Sequence, residues 1–200
     1  MSTESHFFAI VSRMKYIERW ALMRSSRPEN LSEHSLEVAM IAHALCIIAN
    51  VRYGRALDAD RAAVISLYHD ASEIITGDMP TPVKYRNPSI RGAYKEVERE
   101  AEESLLDTLP ADLRPAFEAA FAPAADDPDD VYLHEIVKAA DKLSAYIKCT
   151  EEASAGNVEF RTAAASTLTK LEEMRASHPE LGDFMAEFLP AYGRTLDELL

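Results

Sequence analysis

Two histidines and two aspartates, widely separated in the sequence, have side chains suited to bind a divalent metal. They are His34, the adjacent pair His69 and Asp70, and Asp141. Each falls on a predicted helix face that is otherwise apolar, and such groups are rarely buried unless they are paired or bound to metal. Two neutral imidazoles and two carboxylates neutralise a divalent ion and leave coordination positions for water and a substrate oxygen. The pattern therefore favours a metal-centred hydrolytic site.

The mixture of donor atoms restricts the metal. Imidazole nitrogen together with carboxylate oxygen suits first-row ions such as Mn, Fe, Co or Zn better than Ca or Mg. Such an ion lowers the pKa of bound water and polarises an electrophile. The spacing alone does not prove that the four side chains converge, because a histidine on an apolar helix face is more often an ordinary core residue. The neighbouring residues must decide between these two interpretations.

The elements that position these residues are predicted to be helices. The 200-residue chain contains only six glycines and is rich in Ala, Leu, Glu and Met, which favours helix over sheet. No segment has a convincing strand pattern. Hydrophobic spacing and punctuation by Pro, Gly and Asp predict helices at about 4–17, 31–50, 58–77, 89–109, 112–121, 130–153, 157–176 and 180–198.

The second predicted helix follows a loop over residues 19–28 and has a start signal. Asn30, with Glu33 three residues later, resembles a capping box. The apolar stripe of this helix is expected to comprise Leu36, Met40, Ile47 and Ile48. In the helix that carries Asp141, the residues expected to face inward are Leu133, Val137, Ala140, Ser144 and Ile147.

The third predicted helix carries the adjacent His-Asp pair. His69 and Glu73 are four residues apart and share one helix face, while Asp70 is rotated by roughly 100°. Gly77 is expected to end this helix as a C-cap. Three prolines then exclude regular helix across residues 78–88: Pro80, Pro82 and Pro88.

Composition and charge limit the partners and the compartment. A formal charge of −13 argues against binding a nucleic-acid polymer, although a local cation cluster can still hold a small phosphate. Cys46 and Cys149 lack metal-ligand spacing and are expected to be buried thiols of a reducing cytosol. No signal peptide is recognised, and the apolar run Val38–Val51 contains His43 and Asn50. We therefore expect a cytoplasmic protein without a membrane span.

The arrangement H…HD…D resembles the HD superfamily of metal-dependent phosphohydrolases, whose ligands lie on helices. Further segments extend the resemblance to the bacterial YfbR-like 5′-deoxynucleotidases. The similarity spans nearly the whole chain and weakens only near 112–130 and in the last two helices. The segments that carry it are His6–Phe8, Arg19-Trp20, Ser32–Leu36, Tyr68–Glu73, Thr76–Tyr85, Lys138–Leu143 and Tyr146–Cys149.

This resemblance implies an architecture and a cofactor. It implies a compact all-α fold of several helices with the metal site buried between them. The chain would be a single domain over 1–200, with an HD core at about 28–145 and flanking helices, and would form a homodimer. One divalent cation (Co, Mn, Fe, Zn or Cu) would be bound. Binuclear relatives carry additional histidines between the HD pair and the last Asp, whereas only His134 lies there in this chain. The metal ligands would be His34, His69, Asp70 and Asp141.

The resemblance also implies roles around the metal. Arg19 would orient the substrate phosphate, and Trp20 would lie where a ribose 2′-hydroxyl would project, leaving it no hydrogen-bond acceptor. Glu73 would be the acidic catalytic partner, and Asp78 would carry a proton or bind the sugar 3′-hydroxyl. Met79 stands where a relative of this family carries Leu. The remaining residues that would contact the nucleotide are His34, Met79, Pro80, Thr81 and Asp141.

The implied reaction is hydrolysis of 2′-deoxyribonucleoside 5′-monophosphates to deoxynucleoside and phosphate. Two alternatives stay open from the sequence. One is another HD phosphohydrolase, acting on nucleoside triphosphates, cyclic nucleotides or guanosine alarmones. The other is a non-catalytic nucleotide sensor that keeps the metal for structure. The native metal, the base preference and the choice between Glu73 and Asp78 as proton donor are not decided by the residue pattern.

Overall fold

Helices account for the regular secondary structure of the described residues, which confirms the predicted all-α class. The computed structural model describes residues 4–84, 86–124 and 126–200. Tyr85, which ends one segment of the resemblance, lies outside them. Helices α1 to α11 are, in order, Phe7–Val11, Leu31–Tyr53, Ala59–Tyr68, Glu73–Thr76, Thr81–Lys84, Pro88–Leu106, Arg114–Phe121, Pro128–Ser154, Arg161–Met174, Pro179–Glu187 and Leu196–Leu199. Two 3₁₀ helices are Ser12–Tyr16 and Leu189–Ala191.

Three helices form the central core. α2 packs against α3, α8 and α10, and α9 packs on the outer side of α8. Leu45, Ile65 and Leu143 contribute fully buried side chains from α2, α3 and α8. The inward face predicted for α8 is confirmed, since Leu133, Val137, Ala140, Ser144 and Ile147 are all buried. The core helices are therefore the ones that carry the candidate metal ligands or lie next to them.

Asn30 is confirmed as the N-cap of α2, but the apolar stripe predicted for this helix is not confirmed. The Asn30 side chain accepts hydrogen bonds from the backbone N–H groups of Ser32 and Glu33, as expected of an N-cap. Leu36, Met40 and Ile47 are 55%, 59% and 43% exposed, so the predicted stripe was wrong for these three residues. Only Ile48 of that set is buried. Because α2 is apolar around most of its circumference, spacing alone did not identify the face that contacts the core.

The same helix is long and apolar enough to cross a membrane by length and composition. Its most apolar 18-residue window is, however, 56% buried inside the protein. Burial against α3, α8 and α10 explains this composition, because a central helix surrounded by others is apolar on several faces.

The single helix predicted over 58–77 is wrong. Asp58 caps α3 by accepting from the N–H of Arg61, but α3 ends at Tyr68 and a separate α4 begins at Glu73. Between them the chain makes tight turns closed by hydrogen bonds between residues three positions apart. In one of them the N–H of Ala71 donates to Tyr68 O at 2.9 Å. Gly77, at φ +73°, ends α4 as predicted. The adjacent His-Asp pair therefore lies on a tightened turn at the end of a helix.

Two other boundary predictions need correction. The stretch 78–88 was predicted to lack helix but contains the one-turn α5, in which Pro82 occupies an early position whose N–H needs no helical partner. The last predicted helix, 180–198, is interrupted after α10. Pro190 and Gly193, at φ +82°, account for that break. Both cysteines are buried free thiols, as expected.

Candidate active site

The four predicted metal ligands converge in the folded chain. His34 lies in the first turn of α2, the pair His69 and Asp70 directly follows α3, and Asp141 lies in the middle of α8. One ligand atom from each lies within 4.8 Å of the others. His34 Nε2 is 3.3 Å from Asp141 Oδ1 and 3.6 Å from Asp70 Oδ2. Tertiary packing thus produces a compact N₂O₂ donor set.

The histidines of this group are oriented as metal ligands require. Nδ1 of His69 is 2.7 Å from the carbonyl of Ser66, to which it donates, so Nε2 keeps its lone pair. Nδ1 of His34 is 3.0 Å from Ser144 Oγ, whose hydroxyl donates to Glu37 at 2.5 Å. Nε2 of both rings is buried and lacks a hydrogen-bond partner in the described structure. Two such nitrogens facing two carboxylates fit a bound divalent cation.

Electrostatics around the group favour a cation as well. Burial raises the pKa of Asp70, but His69 and His34 outweigh it and hold that pKa well below its usual range. Burial and Arg19 lower the pKa of His34, whereas the nearby carboxylates of Asp141, Asp70 and Glu29 raise it to about 10. Ionised carboxylates at this depth attract positive charge strongly enough to protonate the imidazole. A divalent ion satisfies the same carboxylates while both histidines stay neutral.

Arg19 lies at the edge of the metal-capable group. Its side chain is 10% exposed, with Nη1 at 3.3 Å from Asp70 Oδ2 and Nε at 3.3 Å from Glu29 Oε1. Burial lowers the pKa of Arg19, but the charges of Asp141 and Asp70 outweigh burial and raise it. The guanidinium is therefore a permanent cation beside the site, as a phosphate-binding residue must be.

Trp20 and Asp78 are joined directly. The backbone N–H of Trp20 donates to Asp78 Oδ2 at 3.3 Å, which connects the loop after the first 3₁₀ helix to the segment after α4. Trp20 has a left-handed backbone, φ +59°, among described residues where positive φ is otherwise confined to glycines. Such a conformation is costly for a bulky residue and persists only when its surroundings hold it. Its indole meets Phe160 edge-on at 5.3 Å between ring centroids.

Glu73 is a buried carboxyl group close to these charges. Its residue is 6% exposed, and Oε2 lacks a hydrogen-bond partner in the described part of the chain. Burial, followed by the charges of Asp70 and Asp78, raises the pKa of Glu73 to about 9. A carboxyl group that keeps its proton at neutral pH can act as a general acid.

The predicted nucleotide-lining segment is only partly connected to this site. Met79 and Pro80 are partly buried, whereas Thr81 is exposed at the start of α5. In this segment, which runs from Asp78 to Thr81, Asp78 is the one described residue that is hydrogen-bonded to another predicted site residue. The contribution of the other three stays a prediction.

Sequence reasoning missed three residues that contact the site. Glu29 contacts Arg19, Trp20 and His34. Ser144 was expected to face inward but was not connected with His34, and Lys142 Nζ pairs with Asp141 Oδ2 at 2.8 Å. The position of Ser144 one helical turn after Asp141 was a usable signal. Glu29 precedes an N-cap, and no spacing rule distinguishes it there.

An all-helical fold with two histidines and two aspartates converging beside a buried arginine defines an HD-type metal-dependent phosphohydrolase. The matching family profile, described as 5′-deoxynucleotidase YfbR-like, covers residues 6–192. The chain belongs to this YfbR-like family.

Curated relatives named 5′-deoxynucleotidase are similar along nearly their entire length. The one from Vibrio cholerae serotype O1 is 48% identical over 196 residues, covering 98% of both chains. The one from Yersinia pestis strain Pestoides F is 49% identical over 199 residues, covering 98% of this chain and 96% of the relative.

Solved structures share the fold at lower identity. An HD-domain phosphohydrolase from Listeria innocua superposes with a TM-score of 0.80 at 23% identity, covering 94% of this chain and 88% of the other. The HD phosphohydrolase of cyanophage S-2L, described as bound to dA and one catalytic Zn²⁺, has a TM-score of 0.62 at 21% identity. That match covers 95% of this chain and 98% of the phage protein. These matches support the HD fold.

Proposed function

We propose that the protein is a 5′-deoxynucleotidase that hydrolyses 2′-deoxyribonucleoside 5′-monophosphates to deoxynucleoside and phosphate. The observation that carries the proposal is the convergence of the four-residue donor group beside Arg19. The names of the relatives with nearly half their residues identical support the same activity. Phosphate binding, sugar recognition and proton transfer can each be assigned to residues around this donor group.

One divalent cation would be held by His34, His69, Asp70 and Asp141, with Mn, Fe, Co, Zn and Cu as candidates. When bound, it would supply Lewis acidity, which lowers the pKa of a water molecule and polarises the phosphoryl group. A mononuclear site agrees with the absence of His134 from the four-residue group found among the described residues. Elemental analysis of the purified protein tests this stoichiometry: about one ion per chain supports it, and two would contradict it.

Arg19 would bind the substrate phosphate. Its Nε and one N–H of Nη1 face Glu29 and Asp70, so Nη2 and the second N–H of Nη1 remain as a two-pronged donor. Such a fork matches two phosphoryl oxygens and stabilises the charge that develops on them during in-line displacement. In a chain of formal charge −13, this local cation offsets the repulsion of a dianion.

Trp20 would pack against the sugar and select against a 2′-hydroxyl, because the indole face has no acceptor for it. The attack of water forms a bond to phosphorus and breaks the bond to the 5′-oxygen, which must gain a proton. Glu73, protonated at neutral pH, would donate that proton. Asp78 would bind the sugar 3′-hydroxyl and the backbone of Trp20, with Met79, Pro80 and Thr81 lining the nucleotide beyond it.

A nucleotide panel tests this substrate assignment. Metal-loaded protein is expected to release phosphate from dAMP, dGMP and dTMP and to act on AMP at a rate lower by about 100-fold, the range that pocket discrimination provides. Measurements use phosphate release with Mn or Co. Release of pyrophosphate or tripolyphosphate from nucleoside triphosphates would instead identify a different HD phosphohydrolase. Binding of dAMP without turnover would identify a nucleotide sensor.

The quaternary state proposed is a homodimer that uses the outer face of α2. Leu36, Met40, Ile47 and Val51 fall on one side of that helix and are 43–78% exposed. An exposed apolar stripe of this length is typical of a protein interface. Because a two-fold dimer pairs the same patch of both subunits, a self-complementary apolar stripe suits it.

Met40→Glu is expected to convert the dimer to a monomer, because it would place a charge in the middle of the stripe. Light scattering coupled to size exclusion measures the mass. Val158→Glu is the matched control, since Val158 is 57% exposed outside α2. A wild-type mass of one chain, or a Met40→Glu protein that stays dimeric, would contradict the proposal.

We also propose a cytoplasmic location without membrane attachment, and one domain over 1–200 with the HD core at about 28–145. Two buried free thiols and a strongly acidic composition support the location. The central position of α2 supports one cooperative unit. Recovery of the protein in the membrane fraction, or two separate unfolding transitions, would contradict these statements.

A further inference from the structure

Glu29 occupies a central position that the proposed chemistry leaves unassigned. Its side chain is 14% exposed, and its two carboxylate oxygens face different partners. Oε2 accepts a hydrogen bond from the indole Nε1–H of Trp20 at 3.1 Å. Oε1 lies 3.3 Å from Arg19 Nε and 3.4 Å from His34 Nδ1. One carboxylate therefore contacts the phosphate-binding, sugar-binding and metal-binding parts of the site.

The backbone around Glu29 keeps its side chain in register with these partners. The N–H of Arg19 donates to the carbonyl of Glu29 at 2.9 Å, and the N–H of Leu31 donates to Ile17 O at 2.9 Å. Glu18 and Asn30 form an isolated antiparallel bridge between the same two segments. Because these bonds use main-chain atoms, a changed side chain at position 29 leaves them intact. The backbone and side-chain contributions of Glu29 can therefore be separated.

The rest of the loop is held from another direction. Glu152, 1% exposed, accepts from the N–H of Ser26 at 2.8 Å and from Lys148 Nζ at 2.5 Å. Asn157 donates to the carbonyl of Arg24 at 2.6 Å. These contacts hold the loop against the C-terminal end of α8 and the residues that follow it, but none of them reaches the Arg19 guanidinium or the Trp20 indole ring nitrogen. Asp70 also contacts the Arg19 guanidinium and Phe160 also contacts the Trp20 ring, but Glu29 is the residue that contacts both side chains.

We propose that Glu29 is a positioning residue that orients Arg19 and Trp20 relative to each other and thereby sets the discrimination between deoxyribose and ribose. Its Oε1 holds the inner edge of the guanidinium, which leaves the outer N–H groups for phosphate. Its Oε2 holds the indole at a fixed distance from that phosphate position. Because the nucleotide allows only a limited range of distances between phosphorus and C2′, the spacing between guanidinium and indole decides whether a 2′-hydroxyl meets the ring.

Glu29→Gln is the most conservative substitution that tests this role. A glutamine has one acceptor oxygen, so it can accept from Trp20 Nε1–H or face Arg19 Nε, but not both. Its amide N–H groups would then face the N–H group of the other residue and repel it. Glu29→Asp keeps the negative charge but is one methylene shorter. Comparing the two variants therefore distinguishes the effect of the charge from the effect of side-chain length. Glu33→Gln is the matched control, because Glu33 is 49% exposed and its ion pair with Arg27 spans 3.5 Å.

The first readout is the fluorescence of Trp20, the sole tryptophan of the chain. Both Glu29 variants are expected to increase its quenching by acrylamide and to shift its emission, while Glu33→Gln leaves both unchanged. This readout does not depend on the substrate assignment, on which only the second readout rests. Unchanged fluorescence in both Glu29 variants would overturn the positioning role, whatever the activity.

The second readout is the ratio of kcat/KM for dAMP to that for AMP. Glu29→Gln is expected to reduce this ratio by about 10-fold, a fraction of what pocket discrimination provides, with KM for dAMP increased more than kcat is reduced. Metal content is expected to be retained, because Ser144 is the nearer partner of His34 Nδ1. An equal loss for both nucleotides, or loss of the metal, would show a general structural role and overturn the proposal. Altered fluorescence in an enzyme without nucleotidase activity would instead contradict only the proposed function.

Discussion

Asp70→Ala is expected to abolish metal binding and turnover together. A single oxygen, Oδ2, lies 3.1 Å from His69 Nε2, 3.6 Å from His34 Nε2 and 3.3 Å from Arg19 Nη1. Removing it deletes a proposed metal ligand and also releases the guanidinium that would bind phosphate. Replacing residues that merely support a ligand typically costs 10–100-fold, so loss of the ligand itself is expected to reduce kcat/KM by more than about 100-fold.

Metal content by elemental analysis and phosphate release from dAMP measure the two effects. Asp60→Ala is the matched control, because Asp60 lies in the first turn of α3, at the opposite end of that helix from Asp70, and its side chain is 98% exposed. Both variants are expected to keep the helical circular-dichroism spectrum of the wild type. An Asp70→Ala protein that retains stoichiometric metal, or activity near that of Asp60→Ala, would contradict the assigned centre.

Glu73→Gln is expected to reduce kcat by about 100-fold while leaving KM for dAMP and the metal content largely unchanged. The side chain remains the same size and polar, so binding should persist, but an amide cannot give up a proton to the departing 5′-oxygen. Burial and the charges of Asp70 and Asp78 raise the pKa of Glu73 to about 9. The wild type is thus expected to lose activity as pH rises through the pKa of this acid.

The pH profile distinguishes Glu73 from Asp78 as the proton donor. Glu73→Gln should flatten the alkaline fall of kcat, whereas Asp78→Asn should keep that fall even if its activity is lower. A bound cation stabilises the ionised carboxylate and moves the fall to lower pH, which comparing two metals would reveal. Glu96→Gln, an exposed site on α6, controls for the charge change. Full activity of Glu73→Gln would exclude Glu73 as the donor.

Local signals in the chain were sufficient for some features of the structure. Asn30 as an N-cap, Gly77 as a helix end and the inward face of α8 depend on residues within a few positions of one another, and each was predicted correctly. The continuous helix over 58–77 was wrong because the turn after Tyr68 is stabilised by contacts from elsewhere in the chain. Phe7 packs there against Tyr68 and the buried Ala71. Spacing carries no information about such distant partners.

The sequence by itself determined which chemistry is available: nitrogen and oxygen donors for one cation, a guanidinium, an indole and two acidic groups. Only the tertiary structure decided that the four candidate ligands from three parts of the chain meet within 4.8 Å. It also decided that Glu29 joins Arg19, Trp20 and His34, and that Leu36 and Met40 face outward. The physical reason is that side-chain type is a local property. Convergence, burial and a raised pKa arise instead from the packing of helices far apart in sequence.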